Sequence, residues 1–159
     1  MQANLVKYHL IHHLPSMVEL IGDNINLDKI DNLFNKKIEN RRQTSIGKQI
    51  EACIYDTIVQ ANKNIPQAYR YLHFINKLCG ELSGLLTEKE KKLIRKNVYN
   101  MLVSFDLKYL NFFGEILVLN SLMKTKQYRL HDVEMKLSNG KEVDFVLKNI
   151  SSNKLIKSK

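Results

Sequence analysis

Apolar residues recur at the helical period along most of the chain. Spacings of three and four residues predict helices over residues 3–13, 15–21, 27–40, 44–62, 66–84, 88–103 and 107–124. Asn26 and Asp106 are suited to cap the third and last of these helices. Thr87 and Glu90 form a capping box, in which the threonine accepts from an amide and the glutamate reaches back. The pattern predicts a bundle-like region of five or six helices, followed by one more.

The periodicity changes to two after Lys124, which predicts β-strands over residues 133–137 and 142–148. Ser138-Asn139-Gly140 lies between them and is typical of a hairpin turn. A three-residue loop places Met135 opposite Val143 and Val133 opposite Phe145, so that one face is apolar. A two-residue loop would mix apolar and charged residues on both faces. We therefore expect the three-residue loop.

These elements predict an α+β fold. A helical region over residues 1–104 packs against a shorter α/β unit over residues 105–159, with the two parts forming either two domains or one. Residues 154–159 could add a third strand after the turn at residues 151–153.

Composition adds an expectation about partners and location. The net charge is +9, from 25 Lys and Arg against 16 Asp and Glu, which favours polyanions such as nucleic acid. The basic side chains best placed to contact phosphate are Lys36, Lys37, Arg41 and Arg42. No stretch approaches the roughly 18 apolar residues that span a bilayer, and the N-terminus does not resemble a signal peptide. We therefore expect a cytoplasmic protein without a membrane partner.

The polar face of the predicted hairpin carries the residues best suited to chemistry. Glu142 and Asp144 are two apart on one strand and point to the same side, with Glu134 on the neighbouring strand. Clustered carboxylates repel each other unless a cation or proton lies between them, and hard cations such as Mg²⁺ prefer such oxygen ligands. The alternative is a solvated face with an ordinary Lys136–Glu142 ion pair.

The order of these elements resembles the PD-(D/E)XK, or restriction-endonuclease-like, superfamily over residues 109–159. The segment YLNFFGEILV, residues 109–118, is similar to that family's first core helix, whose glutamate is here Glu115. NGKEVDFVL, residues 139–147, is similar to its second strand, whose metal-binding aspartate is here Asp144. The resemblance implies metal-assisted phosphodiester hydrolysis, with Mg²⁺ or Mn²⁺ as cofactor.

The next strand departs from the family pattern. It usually reads two apolar residues, an acid, any residue and lysine, and residues 155–159 read LIKSK. The resemblance implies Lys159 as the catalytic lysine, but Lys157 stands where the second acid belongs. Three explanations remain open. Glu134 or Glu142 supplies the missing ligand, the site is inactive and the fold binds a partner, or the sequence is a fragment.

Two functions follow as expectations. The first is a nucleic-acid-processing protein with a nuclease-like core, complete or degenerate, whose ancestral chemistry is metal-dependent hydrolysis. The second is a non-enzymatic helical adaptor, regulator or effector that binds a protein partner. The nuclease requires Glu115 and Asp144 to converge within reach of one bridging metal ion, beside a basic groove. The adaptor predicts carboxylates paired with lysines and an exposed apolar patch.

Overall fold

A computed structural model describes residues 4–22, 26–44, 53–104, 108–136 and 142–158. Within them lie seven helices and one three-stranded sheet. The elements are α1 (Asn4–His13), α2 (Pro15–Ile21), α3 (Leu27–Thr44), α4 (Ile54–Ala61), α5 (Pro66–Leu85), α6 (Glu88–Val103), α7 (Tyr109–Lys124), β1 (Tyr128–Lys136), β2 (Glu142–Asn149) and β3 (Leu155–Ser158). The predicted α+β class is confirmed, including the third strand.

The helix starts follow local chemistry where the structure describes them. Pro15 and Pro66 occupy the first turns of α2 and α5, where a missing amide hydrogen costs nothing. The Asn26 side chain accepts from the Lys29 amide at 2.9 Å, as expected for the cap of α3. The expected cap at Asp106 lies outside the described residues.

The predicted helix over residues 44–62 is wrong at Cys53. This residue is extended, with φ −146° and ψ 175°, and α4 begins only after it. The apolar spacing from Ile46 to Ile58 satisfied the helical period, but periodicity does not reveal a break in the backbone. Cys53 and Cys79 are both buried and neither forms a disulfide, and burial raises the pKa of the Cys79 thiol to about 12.

The capping box of α6 is confirmed. The Glu90 amide donates to the Thr87 hydroxyl, and a Glu90 carboxylate oxygen accepts from the Thr87 amide at 2.8 Å. The other Glu90 oxygen accepts from the Leu130 amide of β1 at 2.9 Å. Glu90 is only 5% exposed, so one buried carboxylate starts α6 and also attaches the helix to the sheet.

The sheet is antiparallel throughout, in the order β1-β2-β3. Val133 lies opposite Phe145 and Met135 opposite Val143, which is the register that a three-residue loop predicts. The loop itself lies outside the described residues. β1 begins at Tyr128 rather than near residue 133. The prediction missed its first residues because an irregularity between Leu130 and Asp132 interrupts the alternation of apolar and polar residues.

The core is continuous from α1 to β2. Phe34 of α3, Ile75 of α5, Ile94 of α6, Ile116 of α7 and Phe145 of β2 belong to one buried apolar cluster. Within the described residues, no helix combines the length and apolar character needed to cross a membrane. Both α6 and α7 contact β1, and the place where these two helices meet the sheet determines where the polar residues of both parts meet.

The contact between Glu90 and the sheet predicts unequal costs for the two halves of the capping box. Thr87→Ala should lower the free energy of unfolding by about 1 kcal/mol, which is typical for a lost cap. Glu90→Ala should lower it by about 3 kcal/mol, because the amides of Thr87 and Leu130 both lose their acceptor. Urea denaturation measures both values. A Glu90→Ala cost no larger than that of Thr87→Ala would contradict this role.

Candidate metal and phosphate site

A groove of about 490 Å³ lies between α7 and the sheet. Its α7 side is formed by residues spaced one or three apart in succession, as on one helix face, and its sheet side by residues of β2 and β3. The lining residues are Leu110, Asn111, Gly114, Glu115, Val118, Asp144, Phe145 and Ser158. Glu115 and Asp144, which the sequence places almost thirty residues apart, therefore line the same groove.

Glu115 is held in place from α6. The Asn97 side-chain amide donates to one Glu115 carboxylate oxygen, Oε2, at 2.9 Å. Asn97 is 1% exposed, so its amide has little freedom to turn away. Glu115 itself is partly buried, at the edge of the apolar face that Ile116 and Leu119 bury. A buried amide thus orients a carboxylate beside the groove.

The environment of Glu115 disfavours its charge. Burial raises the pKa of the Glu115 carboxyl above its ordinary value, the Asn97 hydrogen bond lowers it, and the negative charges of Asp144 and Glu134 raise it further. The net effect is a raised pKa. The two neighbouring acids therefore lie close enough to repel Glu115, and a cation between these groups would relieve that repulsion.

Glu134 approaches the site differently from Asp144. Its carboxylate forms an ion pair with Lys96 of α6, and its backbone adopts a left-handed φ of 50°. The side chain is therefore engaged with a helix, although its charge still acts on Glu115. Asp144, in contrast, is partly exposed and lines the groove.

The remaining predicted residues are distributed as follows. Lys157 is exposed on β3, opposite Val146. Glu142 lies in β2 opposite Lys136, but its side chain is outside the described part of the structure, and Lys159 lies outside it entirely.

Lys36 is exposed on α3. Lys37, Arg41 and Arg42 lie in the same helix, with side chains that the structure does not describe.

Two residues of the site were missed from the sequence. Asn97 is a polar residue within the buried stripe of α6, between Ile94 and Met101, and such an interruption could have marked it. Lys96, the partner of Glu134, carried no distinguishing signal, because it belongs to a lysine-rich helix. Only the packing of α6 against β1 brings it to the site.

The donor set fits a hard divalent cation in part. Mg²⁺ is commonly bound by one or two carboxylates, with water and substrate phosphate completing its coordination, so Glu115 and Asp144 match that requirement. Among the described residues, no group of three or more His, Cys, Asp or Glu side chains is arranged to hold a metal. The site therefore fits a cation held by two carboxylates better than a cation fully enclosed by protein ligands.

Comparisons of the chain with protein-family models, with curated proteins and with solved structures returned no match.

The raised pKa of Glu115 predicts a pH-dependent stability difference. Its contribution to folding is fully present below the ordinary glutamate pKa of 4.5 and is lost as the pH rises through the higher folded-state value. Glu115→Gln removes this loss. The variant should therefore gain stability relative to the wild type as the pH is raised from 4 to about 7.

Chemical denaturation across this pH range measures the difference, and Glu88→Gln is the control. Hydrogen bonding and attraction from Lys91 lower the pKa of the exposed Glu88 carboxyl. Its contribution is present above the ordinary value and is lost on acidification, so its difference curve should slope the opposite way. Parallel slopes for both variants would contradict the environment assigned to Glu115.

Proposed function

We propose that the chain is a nucleic-acid-processing protein with a nuclease-like core, whose groove between α7 and the sheet binds a divalent cation and a phosphodiester. The observation that carries the proposal is that Glu115 and Asp144 line one groove. Had the two carboxylates lain on unconnected surfaces, no shared cation would be conceivable. The net charge of +9 further supports a polyanionic substrate.

Each residue has a distinct task in this proposal. Asp144 and Glu115 hold the cation, and Asn97 keeps one Glu115 oxygen fixed so that the other remains available. Lys96 offsets the charge of Glu134, which would otherwise add to the repulsion at Glu115. When bound, Mg²⁺ or Mn²⁺ supplies Lewis-acid stabilisation of charge on the phosphate and a more acidic water.

The lysine at position 157 bears on the same proposal. A cation at the position of the family's second acid disfavours a nearby metal but attracts a phosphate. The proposal therefore assigns this chain two carboxylate ligands, with phosphate oxygens completing the coordination, rather than the full ligand set of the family. Such a site binds metal weakly until the substrate is present.

A second function, a non-enzymatic adaptor that binds a protein partner, is favoured by other observations. Glu134 is already paired with Lys96, and the groove is bordered by Leu110 and Val118, which are 44% and 47% exposed. Phe74 of α5 is similarly exposed and contacts Phe113 of α7. Exposed apolar side chains of this kind are common at protein interfaces.

Metal binding can be tested without any assay of activity. Mn²⁺ at a hundred times its dissociation constant should raise the free energy of unfolding of the wild type by about 2.7 kcal/mol. Asp144→Asn should abolish most of this gain, because it removes a ligand. Denaturation with and without Mn²⁺ measures it, and Glu88→Gln should behave as the wild type. An equal gain in wild type and Asp144→Asn would exclude this metal site.

Hydrolysis is tested by incubating plasmid DNA or single-stranded RNA with Mg²⁺ or Mn²⁺. We expect the wild type to cut. The rates of Asp144→Ala and Glu115→Gln should be lower by at least about 100-fold, since each variant loses charge stabilisation of the transition state. Glu88→Gln should retain full activity. Cutting that persists in Asp144→Ala would point to a contaminant. No cutting by the wild type would favour the adaptor.

A further inference from the structure

One face of the sheet concentrates positive charge close to the groove. Arg129 of β1 lies directly opposite Lys148 of β2, and both alternate with residues that enter the core, such as Leu130 and Leu147. Lys157 of β3 lies opposite Val146 and therefore points to the same face as Lys148. We define these three residues, Arg129, Lys148 and Lys157, as the basic sheet face.

The arrangement has an electrostatic cost. Residues directly opposite across antiparallel strands have Cβ atoms about 5 Å apart, and diagonal neighbours about 7–8 Å apart, so like charges at these positions destabilise the sheet. Neither separation exceeds the Debye length of about 8 Å at physiological ionic strength, so salt screens the repulsion only in part. An anion bound across the three side chains would remove that repulsion.

Neighbouring carboxylates offset the charge only in part. Arg129 approaches Glu90 at 4.0 Å, but the Glu90 oxygens already accept from Thr87 and from the Leu130 amide. Asp132 shares the face, opposite Val146, and one of its oxygens accepts from the Val133 amide. The side chain of Arg129 remains 55% exposed, and Lys157 is also exposed. Asp144 is diagonal to Lys157 on the same side of β2, because Lys157 lies opposite Val146. Three basic side chains therefore face two carboxylates, those of Asp132 and Asp144, and an excess of one positive charge remains accessible.

The distance between this face and the groove matches the length of a short nucleic-acid strand. Asp144, Val146 and Lys148 lie on the same side of β2, and Asp144 is four residues from Lys148, a distance of about 13 Å along the strand. A nucleic-acid strand rises about 3.4 Å per nucleotide when stacked, so roughly four nucleotides cover this distance. A phosphate backbone held by the lysines would thus reach the carboxylates.

We propose that the basic sheet face binds the phosphate backbone of a nucleic-acid strand and guides it to the groove at Asp144. The guiding of the strand to the groove rests on the proposed function. The binding of the strand by the basic sheet face does not require a metal. It also differs from the sequence-based expectation, which placed the phosphate contacts on α3, at Lys36 and its neighbours.

The test measures the binding of a fluorescein-labelled oligothymidine strand by fluorescence anisotropy, over a series of salt concentrations. EDTA is present, so that no metal takes part in the binding. A triple variant, Arg129→Gln, Lys148→Gln and Lys157→Gln, should bind more than about tenfold more weakly at low salt. The slope of log affinity against log salt should shrink by about 2, since each lost contact to a single strand accounts for about 0.7.

The matched control removes the same charge elsewhere. Lys29→Gln, Lys63→Gln and Lys89→Gln change three exposed lysines of the helical region, so the net charge falls equally. We expect this variant to keep the wild-type slope. Equal losses in the two triple variants would show that only net charge matters and would overturn the inference. An unchanged slope in the sheet variant would overturn it as well.

Additional measurements separate this inference from its alternatives. Should the triple variant fail to fold by circular dichroism, Lys148→Gln alone must lower the slope by about 0.7. Polyglutamate and unlabelled DNA are compared as competitors of the labelled strand. If polyglutamate displaces the strand as effectively as DNA does, the face would be assigned to acidic proteins and the inference overturned. Strand binding that depends on the basic sheet face, without metal-dependent cutting, would refute the hydrolytic function and leave the binding surface standing.

Discussion

The buried carboxylate of Glu90 connects the two parts of the molecule. It closes the capping box at the start of α6 and also accepts from the Leu130 amide, next to the irregularity in β1. Because α6 carries Asn97 and Lys96 further along, its attachment to β1 determines where Lys96 meets Glu134 of the sheet and where Asn97 meets Glu115 of α7. The candidate site therefore depends on a contact that lies about two turns away on the same helix.

The site itself balances repulsion against fixed partners. Burial and the negative charges of Asp144 and Glu134 disfavour the charge on Glu115, whereas Asn97 favours it and Lys96 is paired with Glu134. A cation beside these carboxylates would relieve their repulsion, and carboxyl groups with a shifted pKa are enriched at functional sites. The same reasoning applies to the basic sheet face, with the opposite sign. The repulsion among the carboxylates suits a bound cation, and the repulsion among the basic side chains suits a bound phosphate.

Local patterns in the sequence determined most of the fold and only part of the site. Capping at Thr87, the starts at Pro15 and Pro66, and the hairpin register all depend on neighbours in the chain, and all are confirmed. The helix predicted through Cys53 and the later start predicted for β1 were wrong, because a backbone irregularity leaves the apolar spacing almost intact. The roles of Asn97 and Lys96 depend on how α6 packs, which no local pattern contains.

The central claim is that Glu115 and Asp144 share a divalent cation. Its most direct test is anomalous diffraction from crystals of the protein grown with Mn²⁺ and a short non-hydrolysable oligonucleotide. We predict an anomalous peak within about 2.2 Å of a carboxylate oxygen of both residues, with a phosphate oxygen as a further ligand. Mn²⁺ bound only elsewhere, with the two carboxylates free of it, would contradict the account.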